Sequence, residues 1–216
     1  MSSYVVMDME MCSVPRENRT DAYWWKNEII QIGAVLMDNS YTVVDEFKTF
    51  VRPEYGVIDT FIENLTGITQ SDVANAPCAA EALLNFTAWL PTDAIVISWS
   101  ENDPIQIERE LHAKEIDLPE LDHYLDEWLD CQAMFGKRMN SDRNYKLSEA
   151  LNIAQISFEN GEHDALVDAR NTAMLFAKLE TEDELQLAPA YVAAEAVYSV
   201  HTPFAKLLAG FQCAAG

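Results

Sequence analysis

Residues 4–11 read YVVMDMEM, and the reading of this stretch decides the fold. Alternation puts Tyr4, Val6, Asp8 and Glu10 on one face of a strand and Val5, Met7, Met9 and Met11 on the other. Both faces begin apolar, as in a central strand covered on two sides. Asp8 and Glu10 break that pattern, because strand geometry sets the two like charges about 7 Å apart on one face. Burying an unpaired carboxylate costs several kcal/mol. Two divalent cations would offset that cost, and an oxygen-rich site suits Mg2+ or Mn2+. An exposed strand end, or a partner arginine, would answer it equally well from the strand alone.

Working outward, residues 12–27 form a long polar connection carrying Pro15, Arg16, Arg19, Trp24 and Trp25. Two strands are expected at 28–37 (EIIQIGAVLM) and 41–51 (YTVVDEFKTFV), joined by a turn at Asp38-Asn39-Ser40. Short helical pieces follow at 59–65 and 70–74, then a helix at 78–90 bounded by Pro77 and Pro91. A buried strand at 94–99 (AIVISW) precedes Asp103-Pro104, which opens a helix to about 115. Residues 127–134 read as a strand and 146–152 as a short helix. The helix at 164–179 is stronger, with Ala165, Ala169, Thr172, Ala173, Phe176 and Leu179 on one face. An antiparallel opening followed by strand–helix alternation predicts an α/β domain with a mixed sheet flanked by helices. From Thr181 the texture changes to an acidic run and then to Ala-rich sequence. The chain is therefore divided into a domain at 1–180 and a C-terminal helical tail at 181–216. Tyr191–Val200 is apolar enough to need covering, either by docking on the domain or by pairing two copies as a homodimer.

The 216 residues suffice for one domain, and 49% hydrophobic residues allow a sizeable core. Fourteen Lys+Arg against 36 Asp+Glu give a net charge of −22. Such a chain is unsuited to wrapping duplex DNA or clinging to an anionic membrane. The first residues lack a basic region, and no apolar run is long enough to span a bilayer. The four cysteines, Cys12, Cys78, Cys131 and Cys213, show no metal-site spacing. These features predict a cytoplasmic protein with reduced thiols.

Three further residues stand out. Asp168, in GEHDALVDARNTA, follows Ala165 by three and precedes Thr172 by four, so it faces the core side of its helix. It is either a boundary acid paired with Arg170 or Lys146, or part of a metal cluster with Asp8 and Glu10. His163, five residues ahead of it, is either structural or a general base beside such a cluster. Asp103 precedes a proline, the position of an ordinary helix N-cap, but it also follows a buried strand as a ligand would. Glu101 is the alternative ligand there.

The order of these signals resembles the DEDDh 3′→5′ exonuclease family over residues 4–179, with EIIQIGAV (28–35), FKTFVRP (47–53), NLTGIT (64–69) and HDALVDARNTA (163–173) also similar to it. The long loop after Glu10 and NLTGIT look most like the KapD-like, RNA-processing branch. Met11-Cys12 departs from the family by replacing a Thr-containing turn. The resemblance implies a ribonuclease H-like fold, with a mixed five-stranded sheet flanked by helices. It implies hydrolysis at the 3′ end of single-stranded RNA or DNA, releasing nucleoside 5′-monophosphates. Asp8, Glu10, Asp103 and Asp168 would hold two Mg2+ or Mn2+ ions, and His163 would take the proton of the attacking water. The backbone at Met11 and the side chain of Leu65 would contact the terminal nucleotide, with Trp24, Trp25 and Trp99 as stacking candidates. Seven acids at 115–130 precede Lys137, Arg138, Arg143 and Lys146; this basic segment, with Lys137 and Arg138 as its leading candidates, is expected to border the cleft and hold the incoming backbone, the alternative being a solvated loop. A DNA exonuclease of the proofreading or repair type fits the same five residues. From another class, a catalytically silent interaction module with this fold is the competing reading, which intact acids and His163 argue against.

Overall fold

In the computed structural model, which describes residues 3–157, 161 and 163–192, the strand that opens the chain lies at the centre of the sheet. The five strands are β1 (Ser3–Ser13), β2 (Asn27–Met37), β3 (Val43–Phe50), β4 (Ala94–Ser98) and β5 (Leu129–Asp130), in the order β3-β2-β1-β4-β5. β1, β2 and β3 form an antiparallel meander, and β4 and β5 add in parallel. Alternation along β1 then sends its two apolar rows to opposite cores. Val5, Met7 and Met9 pack with α3 (Ala79–Trp89), through Ala82, Leu83 and Phe86, and with Ile107 of α4 (Asn102–Ala113). Val6 packs on the other side with Val35, Met37 and Ile97 beneath α8 (Ala165–Thr181), α7 (Leu147–Ile153) and α6 (Cys131–Arg138). Near the C-terminal end of β1, α1 (Thr60–Thr66) and α2 (Gln70–Val73) close a smaller cluster around Cys12, Ile30 and Ile62.

The expected strand at 127–134 is a correction. Only Leu129–Asp130 is strand, because the Asp130 side chain accepts the backbone N–H of Ala133 and caps α6, turning the chain into a helix at Cys131. The turn after β2 also takes more residues than expected: Asp38 Oδ1 accepts the N–H of both Ser40 and Thr42 at 2.9 Å, so β3 begins at Val43. Between these elements lies α5 (Asp122–Asp126), inside the acidic stretch that periodicity left unassigned.

Two residues of β2 seat α8 beside the acids of β1. Gly33 pairs with Asp8, and a Cβ at Gly33 would lie 2.2 Å from the backbone nitrogen of Leu166 and 2.3 Å from the carbonyl carbon of Ala165. Gln31 pairs with Glu10, and its Oε1 accepts the backbone N–H of Ala165 at 2.8 Å. The glycine here serves close approach. Gly33→Ala is expected to push the first turn of α8 outward, at about 1–3 kcal/mol. Thermal melting should show a drop of roughly 3–10 °C. An unchanged melting temperature would mean the helix moves aside at no cost.

The start of the C-terminal segment lies on the domain. The N–H of Ala188 reaches the carbonyl of Ile153 at 2.8 Å, and Leu185, Leu187 and Tyr191 pack against the core that covers Val6. The expected pairing of two copies through Tyr191–Val200 falls almost wholly outside the described residues. Among the described residues no helix is long and apolar enough to cross a membrane.

Candidate active site

β1 outruns its parallel neighbour. Its pairing with β4 ends at Val6↔Ile97, whereas β1 itself continues to Ser13, leaving the β4 side of its acidic half open. Asp103 fills that gap from the first turn of α4. It is 5% exposed, and its carboxylate accepts the backbone N–H of Met9, the residue between Asp8 and Glu10. The helix-cap alternative for Asp103 is not what the structure shows. Glu101 occupies the N-cap position without a side-chain cap hydrogen bond, and Asp103 lies inside the helix. Glu101 is exposed and faces a different recess, with Pro104 and Trp128.

On the other side, the seat on Gly33 and Gln31 brings the first turn of α8 to the acids. Asp168 there is half-buried, and its Oδ2 accepts the backbone N–H of His163 at 2.9 Å. His163 adopts a φ of 69°, in the left-handed region. A non-glycine residue there carries local strain that the surrounding contacts must hold. Asp164 caps α8 through Leu166 N–H at 3.1 Å and pairs with Lys48 Nζ at 2.5 Å. Ligand atoms of Glu10, His163 and Asp168 all lie within 4.8 Å of one another. Of the two alternative partners, Arg170 forks onto Glu46 at 2.6–2.7 Å, and Lys146 makes no ion pair among the described residues.

The result is a concentration of negative charge under partial burial. Burial, then Asp103, Glu10, Asp168 and Asp164, hold the Asp8 carboxyl well above the usual carboxylate range. Burial, then Asp168, Asp103 and Asp164, push Glu10 up to about 8. Burial pushes Asp103 up to about 7, against the opposing hydrogen bond from Met9. Acids arranged this way share protons near neutral pH unless a cation replaces them. Oxygen donors with one imidazole at the edge suit a hard divalent cation, so the residues present fit such an ion.

A cleft of about 520 Å³ opens over this cluster. Asp8, Glu10, His163 and Asp168 line one end, and Trp99, Gln132, Tyr145 and Lys146 line the rest. Asn171, 1% exposed and one turn beyond Asp168, lines it as well. Helical spacing, three residues after Asp168, is the sequence signal that places Asn171 here.

Other expected contacts scatter. Met11 is half-buried and packs against the core of β1, outside the lining of the cleft. Leu65 is 38% exposed on α1, beside an even more exposed Phe61. Trp24 and Trp25 stack on each other at 3.9 Å, with Arg109 over the Trp25 ring at 4.6 Å, also outside that lining. Lys137 and Arg138 do not border the cleft. Arg138 donates to the carbonyls of Leu179 at 2.6 Å and Asp183 at 3.0 Å, closing the C-terminus of α8, while Lys137 faces a separate recess with Asn140 and Asn144. The exposed C-terminal carbonyls of a helix attract a guanidinium, a contact that local charge counting does not foresee.

Paired acids on a central strand, further acids brought in by helices on both sides and a histidine at the edge make up the ribonuclease H-like site of DEDDh nucleases. The chain belongs to the exonuclease family (RNase_T), whose sequence profile matches residues 5–176. ERI1 exoribonuclease 2 of Danio rerio is 33% identical over 179 residues, covering 72% of this chain and 32% of its own length. The PolC-type DNA polymerase III of Caldanaerobacter subterraneus is 30% identical over 177 residues, covering 82% of this chain and 11% of its own length. The chain thus spans well under half of either relative. Among solved structures, a 3′-exonuclease described by its 3′-end specific recognition of a histone mRNA stem-loop superimposes with a TM-score of 0.70. That match covers 86% of this chain and 66% of the other at 20% identity, a likeness of fold. Members of the exonuclease family are hydrolases that depend on divalent metal ions.

Proposed function

We propose that this chain is a 3′→5′ exonuclease that releases nucleoside 5′-monophosphates from single-stranded nucleic acid, RNA in preference to DNA. The observation that carries the reading is the gathering of Asp8, Glu10, Asp168 and His163 on one cleft, with Asp103 buried close against Asp8. Asp8, Glu10, Asp103 and Asp168 are the residues to hold two Mg2+ or Mn2+ ions. Such a pair, when bound, polarises the scissile phosphate and offsets the charge on the attacking and leaving oxygens. His163, exposed at the cleft edge, accepts the proton of the attacking water and passes it to solvent. Asp168 fixes where that imidazole starts, because it holds the His163 backbone N–H. Contact of the last nucleotide with the backbone at Met11 and the exposed side chain of Leu65 rests on the family resemblance alone, since neither residue lines the cleft. The preference for RNA rests on the exoribonuclease relative, and the polymerase relative favours the second reading, a DNA exonuclease. A cytoplasmic setting and pairing of two copies through Tyr191–Val200 rest on the sequence pattern alone.

Digestion of 5′-labelled single-stranded RNA and DNA in Mg2+, Mn2+ or EDTA tests the proposal. The expected result is a ladder receding from the 3′ end of RNA in either metal and none in EDTA. A ladder on DNA alone would transfer the assignment to the second reading. Intact RNA and DNA in both metals would reject nuclease activity and leave the interaction module.

A further inference from the structure

The cleft has an acidic end, and its substrate is a polyanion, so something other than the acids must attract the incoming chain. Four cations lie within residues 137–146, and the structure gives each a different use. Arg138 closes the end of α8. Arg143 pairs with Glu149 and lies 4.2 Å over the Tyr145 ring. Lys137 faces the neighbouring recess. Lys146 alone lines the cleft, and among the described lining residues it is the only lysine or arginine.

The attachment of Lys146 is firm although its end is loose. Its carbonyl accepts the N–H of Ala150 at 2.9 Å in the first turn of α7. The preceding residue, Tyr145, is 3% exposed, packs edge-on against Phe135, and has its carbonyl held by Gln132 Nε2 at 2.7 Å. The Lys146 ammonium itself is exposed and makes no ion pair among the described residues, in a chain with 36 acids. A cation anchored by its backbone, lining an acidic cleft and without an ion pair among the described residues is suited to a phosphate oxygen.

The geometry points to Lys146 as the substrate-binding residue that takes a non-bridging oxygen of the backbone phosphodiester in the cleft. This assignment rests on the exonuclease reading and deepens it. One fixed positive charge there steers a phosphate toward the acids without adding to the proton chemistry, so its contribution belongs to binding.

Lys146→Met and Lys146→Arg, assayed on 5′-labelled single-stranded RNA, test it. Loss of one charged contact should raise KM about tenfold or more for Lys146→Met. The kcat should change by less than about threefold, and the dependence of log kcat/KM on log salt should become shallower by about one phosphate's worth. Lys146→Arg should stay within about threefold of wild type in every constant, because the charge remains. A wild-type KM and salt slope in Lys146→Met, or a loss confined to kcat, would overturn the assignment. Fluorescence anisotropy of a 5′-fluorescein decanucleotide, in Ca2+ and without turnover, separates this from failure of the enzyme reading. Should wild type hydrolyse nothing, weaker binding by Lys146→Met still supports the contact, and equal binding removes it.

Discussion

Asp8→Asn is expected to melt at a higher temperature than wild type in EDTA at pH 8, while its turnover with added Mg2+ should be lower by at least about 10³-fold. Both effects follow from one cause. In the metal-free protein, burial raises the carboxyls of Asp8, Glu10 and Asp103 above their ordinary range, joined by neighbouring acids at Asp8 and Glu10, with Glu10 reaching about 8 and Asp103 about 7. Between the usual carboxylate range and those values, the folded chain holds protons that the unfolded chain has released. Stability therefore falls as pH rises through roughly 4 to 8, since the folded state binds more protons there. The penalty is absent below the unfolded values and full above the folded ones. Asparagine at position 8 removes one contributor, so the variant should gain several degrees at pH 8 and little at pH 5, at about 2–4 °C per kcal/mol for a chain of this size. Added Mg2+ or Mn2+ should raise wild-type melting more at pH 8 than at pH 5, because binding the ion displaces those protons. Equal melting of the two proteins in EDTA at pH 8 would show that the acids are not strained against one another.

His163→Ala should lower kcat by about 10²- to 10⁴-fold, the usual worth of a positioned general base. KM should move by less than about threefold, since the side chain is proposed to act on water and not on the bound strand. Melting in the presence of metal distinguishes a base from a ligand. If His163 only moves a proton, the metal-dependent gain in melting temperature stays near that of wild type. A gain that disappears would make the imidazole a ligand, as its place within 4.8 Å of Glu10 and Asp168 ligand atoms also allows. Turnover at the wild-type rate would remove His163 from the mechanism.

Much of the fold was legible because each long element carries its own period. β1 declares itself by apolar residues on both faces, and α8 by a stripe from Ala165 to Leu179. The acids of the site were legible as violations of those periods, two in a central strand and one on the core side of a helix. Asp103 shows where local rules stop. Before a proline it reads as a cap, and only the early end of β4 and the open N–H of Met9 reveal why a helix acid is buried there. Residues 127–134 failed for a related reason: two strand residues suffice to edge the sheet, and a single Asp130 then starts a helix. Lys137 and Arg138 were attractive by charge density along the chain. Which of four neighbouring cations meets the cleft depends on what α8, Glu149 and Tyr145 claim first, a tertiary competition with no local signature.

α4 offers one more consequence. Asp103 takes an amide of β1 on one side of Glu10. Seven residues later Glu110, fully buried, takes the N–H of Ile29 at 3.0 Å beside the register slip between Glu10 and Met11. Two turns of one helix thus act as a ruler laid across the strands. An inserted residue anywhere between Asp103 and Glu110 would rotate one carboxylate by about 100° relative to the other and leave one amide unmatched. The connection at 14–26 is held to the same ruler, since Tyr23, fully buried within it, donates its hydroxyl to Glu110 at 2.9 Å. The spacing between Asp103 and Glu110, and the reach of the connection that carries Tyr23 to Glu110, are therefore expected to stay fixed together, with change admitted at the solvent-facing positions of α4.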